Sequence, residues 1–293
     1  MTRILTSLSQ VAAQYDAVYC DLWGCLHNGK APFPAAVAAL QAFRAKGGLV
    51  VLLTNAPRPK PAVIRQLDRL GVPHDCYDEV VTSGDAAQYA LVSGAVGTRV
   101  WHLGPEKDET FFTEMADDMP KGAMIDRVPL AEAQGIVCTG LFDDLTESPE
   151  DYRGRLMLAR EAGLTMLCAN PDIAVDFGDR RLWCAGALAQ MYEEMGGQAL
   201  YFGKPHPPIY ELAARRLAAL RDDVSSDRIL AVGDGPGTDV QGAQGEGLDA
   251  LFVTGGLAAA AFGPDTGNPE KNLLETWLAA QGLGPAYAIG HLR

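Results

Sequence analysis

Four segments of this chain place polar groups where apolar runs stop. Asp21 ends the run from Ala17 to Cys20, and Thr54-Asn55 closes Leu49-Val-Val-Leu-Leu. Lys204 stands in Gly203-Lys-Pro205, and Asp234 in Val232-Gly-Asp-Gly235, with Thr238 and Asp239 just behind. Groups at the carboxyl ends of buried strands face the crevice where open α/β sheets bind ligands. A carboxylate there can attack phosphorus, coordinate a metal, or do both. A second carboxylate helps to hold Mg²⁺, a hydroxyl and an amide donate to phosphoryl oxygens, and an ammonium offsets the charge on nucleophile and phosphate. Each residue also has a plainer role. Asp21 alone reads as a turn acid, Asp239 as a first-turn helix acid, and Thr54 and Asn55 as a strand end and a helix cap.

The elements that must position these groups follow from hydrophobic period. Short apolar runs alternate with amphipathic stretches, which predicts an α/β fold with a parallel sheet and helices on its faces. Strands are expected at 18–21, 49–54 and 79–82, and helices at 34–46, 59–70 and 84–92, after an opening helix at 3–15. A second α/β unit follows, with strands at 98–103, 135–140 and 164–169. Its helices are expected at 111–118, 149–162 and 184–196. The first pattern then returns, with strands at 199–202, 228–232 and 250–254 and helices at 207–221 and 269–281.

The bulk numbers exclude some classes of function. The chain of 293 residues suits a two-domain enzyme. A net charge of −13 argues against a nucleic-acid or anionic-membrane surface. It does not argue against a small anionic substrate, because one cation and one lysine can reverse the local field. Cys20, Cys25, Cys76, Cys138, Cys168 and Cys184 form no zinc spacing. They read as buried free thiols, Cys25 among them as a small filler, and so predict a reducing cytoplasm. No apolar run approaches the ~20 residues of a membrane helix. The first strand leads to Asp-Leu-Trp-Gly rather than to a GxGxxG turn, which speaks against a dinucleotide-dependent dehydrogenase.

Taken in order, Asp21, Thr54, Lys204 and Asp234 resemble the four motifs of the haloacid dehalogenase superfamily of phosphatases. Leu26-His-Asn-Gly29, the Thr54-Asn55 pair, Asn170-Pro-Asp172, Phe202-Gly-Lys-Pro-His-Pro207 and Gly233-Asp-Gly-Pro-Gly-Thr-Asp239 are similar to its class IIA, NagD-like branch. The likeness implies a Rossmann-like core at 1–84 and 200–293 with an inserted α/β cap of the C2 type at 85–199. It implies Mg²⁺ held by Asp21, the backbone carbonyl of Trp23 and Asp234, with Asp239 in or beside the metal shell. It further implies a small phosphorylated metabolite as substrate and a homodimer.

Two departures stand out. Gly235 and Gly237 replace an arginine and an aspartate usual in the fourth motif, and Trp23 occupies the place of the family's acid/base aspartate. General acid–base help is worth roughly 10²–10⁴-fold in rate. Its loss leaves three outcomes: a substitute such as His27, a substrate with a good leaving group, or a scaffold that binds a phosphorylated ligand without turnover. Arg58 is a candidate phosphate contact or a surface arginine. Asp172 reads as a substrate-loop or turn acid, and Asp143-Asp144 as a solvated loop.

Overall fold

The computed structural model describes residues 2–120, 122–177 and 180–293. The chain divides into two compact units: residues 1–54, 66–81 and 210–293 in one, and 55–65 with 82–209 in the other.

The first unit is built on a seven-stranded sheet. Its spatial order is Arg3–Ile4, Tyr287–Ile289, Asp249–Val253, Ile229–Gly233, Ala17–Cys20, Leu49–Thr54 and Glu79–Thr82. The pairings from Arg3–Ile4 across to Leu49–Thr54 are parallel. The central strands are buried along almost their whole length, as apolar runs covered on both faces must be. Register then does the positioning. Val232 lies opposite Cys20, and Cys20 opposite Leu52. Asp21, Asp234 and Thr54 therefore leave the sheet at one edge. The chain continues from Ala17–Cys20 to one side and from Ile229–Gly233 to the other, so Asp21 and Asp234 flank the point where strand order reverses.

Helix Pro34–Arg44 buries Ala36, Val37, Leu40 and Phe43, one face of a 3.6-residue period. It stops at Gly47, whose φ of +89° suits glycine.

The second unit carries a five-stranded sheet in the order Gln198–Tyr201, Thr165–Cys168, Gly135–Cys138, Arg99–Leu103, Asp126–Arg127, all parallel. Leu103, Ile136, Leu156, Met166, Leu188 and Tyr192 form its core. The expectation of an α/β fold with a parallel Rossmann-like sheet and a second parallel sheet is met. Among the described residues, no helix is long and apolar enough to cross a membrane. All six cysteines are buried free thiols.

Several elements differ from expectation. Residues 3–15 are not one helix. Arg3–Ile4 is an edge strand beside Tyr287–Ile289, followed by 3₁₀ turns at Leu8–Gln10 and Ala12–Gln14. The spacing of Leu5, Leu8, Val11 and Tyr15 mimics a helix, but the Arg3 and Leu5 N–H groups donate to Ala286 and Ala288 instead. The stretch 111–118 is helical only over Thr110–Thr113, after which Glu114 is extended. The Gln88 amide donates to the carbonyls of Phe111 and Glu114 and holds that exit. An antiparallel pair of strands, Ala174–Phe177 and Arg180–Trp183, appears where sequence periodicity assigned nothing.

His102 gives this unit a pH signature. Its Nε2 lies 2.9 Å from Thr139 Oγ1. Burial, with Arg127 near, pushes the imidazole down to about 4. The unfolded chain therefore takes up the proton first, and the fold loses stability as pH falls from roughly 6.5 toward 4. Asp108, pushed up to about 6 by burial, works the other way over the same range. His102→Gln keeps Asp108 and removes only the histidine's share. The stability lost between pH 7 and pH 5, read from urea unfolding, is expected to be smaller in that variant by about 2 kcal/mol. Equal losses in parent and variant would mean that His102 is protonated within the fold.

Candidate active site

In the first unit the strand Ala17–Cys20 delivers Asp21, whose N–H stays in the sheet by donating to Val232 O at 2.8 Å. The chain then turns tightly. The N–H groups of Leu26 and His27 both donate to Leu22 O, and that of Gly24 donates to His27 O. The turn brings Cys25 back over the acids. One ligand atom each from Asp21, Cys25 and Asp234 lie within 4.8 Å of one another, and all three residues are buried. Burial, with Asp234 and Asp21 alongside, pushes the Cys25 thiol well up.

Glycines make the room for Asp234. A Cβ on Gly24, whose φ is +73°, would sit 2.1 Å from Asp234 Oδ2, and one on Gly256 would sit 1.9 Å from it. The Leu257 N–H donates to the same oxygen at 3.0 Å. Asp239 folds back over the loop, where its Oδ2 accepts from Gly235 N–H at 3.0 Å. A Cβ on Gly233 would meet its Cγ at 2.0 Å. Thr54 is buried at the end of its strand. Two buried carboxylates held this close repel each other unless a cation lies between them. Their oxygens are the donors that a hard divalent ion takes. Asp21 and Asp234 fit Mg²⁺, and Gly24 and Gly256 leave the space that the Asp234 carboxylate fills.

Trp23 is half-buried, with its ring edge-to-face against His27 at 5.3 Å. His27 is wholly buried. Its Nδ1 accepts from Gly29 N–H at 3.1 Å, which places the ring proton on Nε2. Burial pushes the imidazole down to about 4. The ring is neutral near pH 7 and offers no acidic proton to a leaving group.

In the second unit the Asn55 amide is occupied by the lysine segment. Its Oδ1 accepts from Lys204 N–H at 2.7 Å, and its Nδ2 donates to Lys204 O at 3.0 Å and to Asp172 Oδ1 at 2.8 Å. Asn170 Oδ1 accepts from the Asp172 N–H at 3.0 Å. A Cβ on Gly203 would fall 2.5 Å from Asn55 Oδ1 and 2.6 Å from Pro171 Cδ, so only glycine admits this packing. Lys204 is buried, 3 % exposed, which few lysines are without a task. Arg58 Nε lies 3.6 Å from Asp108 Oδ1, and Asp108 is a buried acid for which the sequence carried no sign. Asp143 accepts from Leu145 N–H and Thr146 Oγ1, and Asp144 pairs with Lys107, as in a self-contained surface turn.

Residues 18–116 match the family described as haloacid dehalogenase-like hydrolase, and residues 201–280 match a second signature of the same kind. The D-glycerol 3-phosphate phosphatase of Mycobacterium tuberculosis (strain ATCC 25618 / H37Rv) is 30 % identical over 257 residues, which is 86 % of this chain and 67 % of that protein. A haloacid dehalogenase-like hydrolase from Brucella suis 1330 superposes with a TM-score of 0.83 at 42 % identity, covering 98 % of this chain and 99 % of that one. The glycerol phosphate phosphatase of M. tuberculosis in complex with magnesium superposes with a TM-score of 0.63 at 26 % identity, over 87 % of this chain and 73 % of that one.

Proposed function

The chain belongs to the haloacid dehalogenase-like hydrolases, and on that footing we propose that it is a Mg²⁺-dependent phosphatase that splits phosphate monoesters through a phosphoaspartate on Asp21. The observation that carries this reading is the buried pair of Asp21 and Asp234 at the strand-order reversal, with Cys25 beside it. One Asp21 oxygen attacks phosphorus in line, the P–O bond to the alcohol breaks, and water then attacks the aspartyl phosphate to release phosphate. Thr54 donates to the phosphoryl oxygens. Asn55 fixes the Lys204 peptide, and the Lys204 ammonium offsets charge on the phosphoryl group. Bound Mg²⁺, held by Asp21, the Trp23 carbonyl and Asp234 with Asp239 beside them, supplies charge neutralisation for the transferring group. On this proposal the cap is residues 85–199 and the core is residues 1–84 and 200–293.

Trp23 stands where the family's proton-transferring aspartate would be, and His27 does not replace it. The substrates favoured are therefore small phosphorylated metabolites whose leaving group needs little protonation. Glycerol phosphate belongs in the panel, because a similar protein of M. tuberculosis is named for it. The test is phosphate release from acetyl phosphate, p-nitrophenyl phosphate, glycerol phosphate and sugar phosphates, each with and without Mg²⁺. Release that needs Mg²⁺ and is fastest with acetyl or aryl phosphate is expected. Tight binding of these compounds with no release from any of them would sink the proposal.

The glycine cradle makes a separate prediction. Gly256→Ala pushes a methyl group into Asp234 Oδ2, so the Mg²⁺ concentration for half-maximal turnover should rise by about 10–100-fold. An unchanged Mg²⁺ titration would take Asp234 out of the metal shell.

A further inference from the structure

Cys25 stands where a magnesium site has no use for it. Mg²⁺ demands near-octahedral oxygen ligands and keeps several waters. A thiolate suits zinc and its softer neighbours, whose sites mix sulfur with carboxylate oxygen. Among the described residues, Asp21, Cys25 and Asp234 are the only three acids, cysteines or histidines whose ligand atoms come within 4.8 Å of one another. Three atoms that close share a centre no more than about 2.8 Å from each. Zinc–oxygen and zinc–sulfur bonds run to ~2.0–2.3 Å. Sub-ångström movements would close the set on one ion.

The local backbone holds the thiol there. The paired hydrogen bonds of Leu26 and His27 to Leu22 O fix the turn, and Cys25 is only 1 % exposed. The neighbouring Cys20 thiol faces elsewhere, donating to Asp21 O at 3.2 Å.

We propose that Asp21, Cys25 and Asp234 together form a binding site for a thiophilic divalent cation, Zn²⁺ or Cd²⁺, that competes with Mg²⁺ for the same two acids. The proposal rests on reading that acid pair as a cation site and is independent of turnover. As the metal–sulfur bond forms, the thiol proton leaves to the buffer. Three protein ligands and one open position describe the bound state. The thiophilic ion takes Asp21 and Asp234 away from Mg²⁺, so it inhibits Mg²⁺-dependent turnover by competition.

The test is a Cd²⁺ titration of the full-length, Mg²⁺-free protein, followed by the ultraviolet thiolate-to-cadmium absorption. The parent should show one equivalent of the band, and Mg²⁺ in excess should shift its midpoint to higher Cd²⁺. Cys25→Ser should abolish the band and weaken Zn²⁺ binding by at least about 10-fold. Its thermal unfolding, compared with the parent's, separates lost binding from lost fold. The other five cysteines serve as internal controls, being buried free thiols themselves. A band that survives in Cys25→Ser, is absent from the parent, or ignores Mg²⁺ overturns the proposal. The Mg²⁺-parent comparison stands even if the variant fails to fold. Phosphate release in Mg²⁺ with no zinc present judges the phosphatase reading separately.

Discussion

Asp21→Asn is expected to lower Mg²⁺-dependent phosphate release by at least about 10³-fold on every substrate the parent turns over. Removing a covalent nucleophile typically costs between this figure and ~10⁶-fold. The amide keeps the size of the carboxylate but is a poor nucleophile and carries no charge to draw the cation in. The fold should tolerate the change. The Asp21 backbone N–H that donates to Val232 O is untouched, and the substitution removes one of two repelling buried acids. Thermal stability without Mg²⁺ should hold or rise while turnover vanishes, a combination a merely structural aspartate would not give. Rapid-quench capture of labelled phosphate on protein would add the intermediate directly: acid-stable label in the parent, none in Asp21→Asn. A variant that keeps a tenth of parental turnover would remove Asp21 as nucleophile.

The main sheet was legible because its strands are buried on both faces. Leu49-Val-Val-Leu-Leu and Ile229-Leu-Ala-Val have no amphipathic reading, so run length and turn residues settle them. The acids were legible because each ends such a run. Elements held by distant partners left no such mark. Arg3–Ile4 is a strand because Tyr287–Ile289, nearly a chain length away, lies beside it. Gly256 was silent for a similar reason. Its necessity comes from Asp234, and nothing in local spacing shows which glycine faces an acid. Asn55 was half legible. Its position after Thr54 marked a phosphate loop, but the task of its side chain, gripping both backbone groups of Lys204, lies 149 residues downstream.

Trp23→Asp is expected to raise turnover of alkyl phosphates, glycerol phosphate and sugar phosphates among them, by about 10²-fold. A positioned general acid is worth roughly 10²–10⁴-fold. The lower figure applies because no neighbouring group has been selected to orient a carboxylate at this position. The turn itself should survive. It is held by backbone hydrogen bonds from Leu26, His27 and Gly24, and by the freedom of Gly24 at φ +73°, none of which uses the indole. What is lost is an edge-to-face contact with His27 at 5.3 Å, worth about 1 kcal/mol, a change thermal unfolding would report. The gain should depend on the leaving group. An alkoxide leaves with great difficulty unless it is protonated, whereas acetate and p-nitrophenolate leave unaided. The rate ratio of variant to parent should therefore fall toward one across the series from glycerol phosphate to p-nitrophenyl phosphate to acetyl phosphate. Should the ratio be flat, with no rise on alkyl esters, proton transfer to the leaving group is not what limits this enzyme. The slow step would then be dephosphorylation of Asp21 or release of phosphate. Accumulation of labelled protein in the parent during steady turnover tells the two apart, since only slow dephosphorylation lets the phosphoaspartate build up.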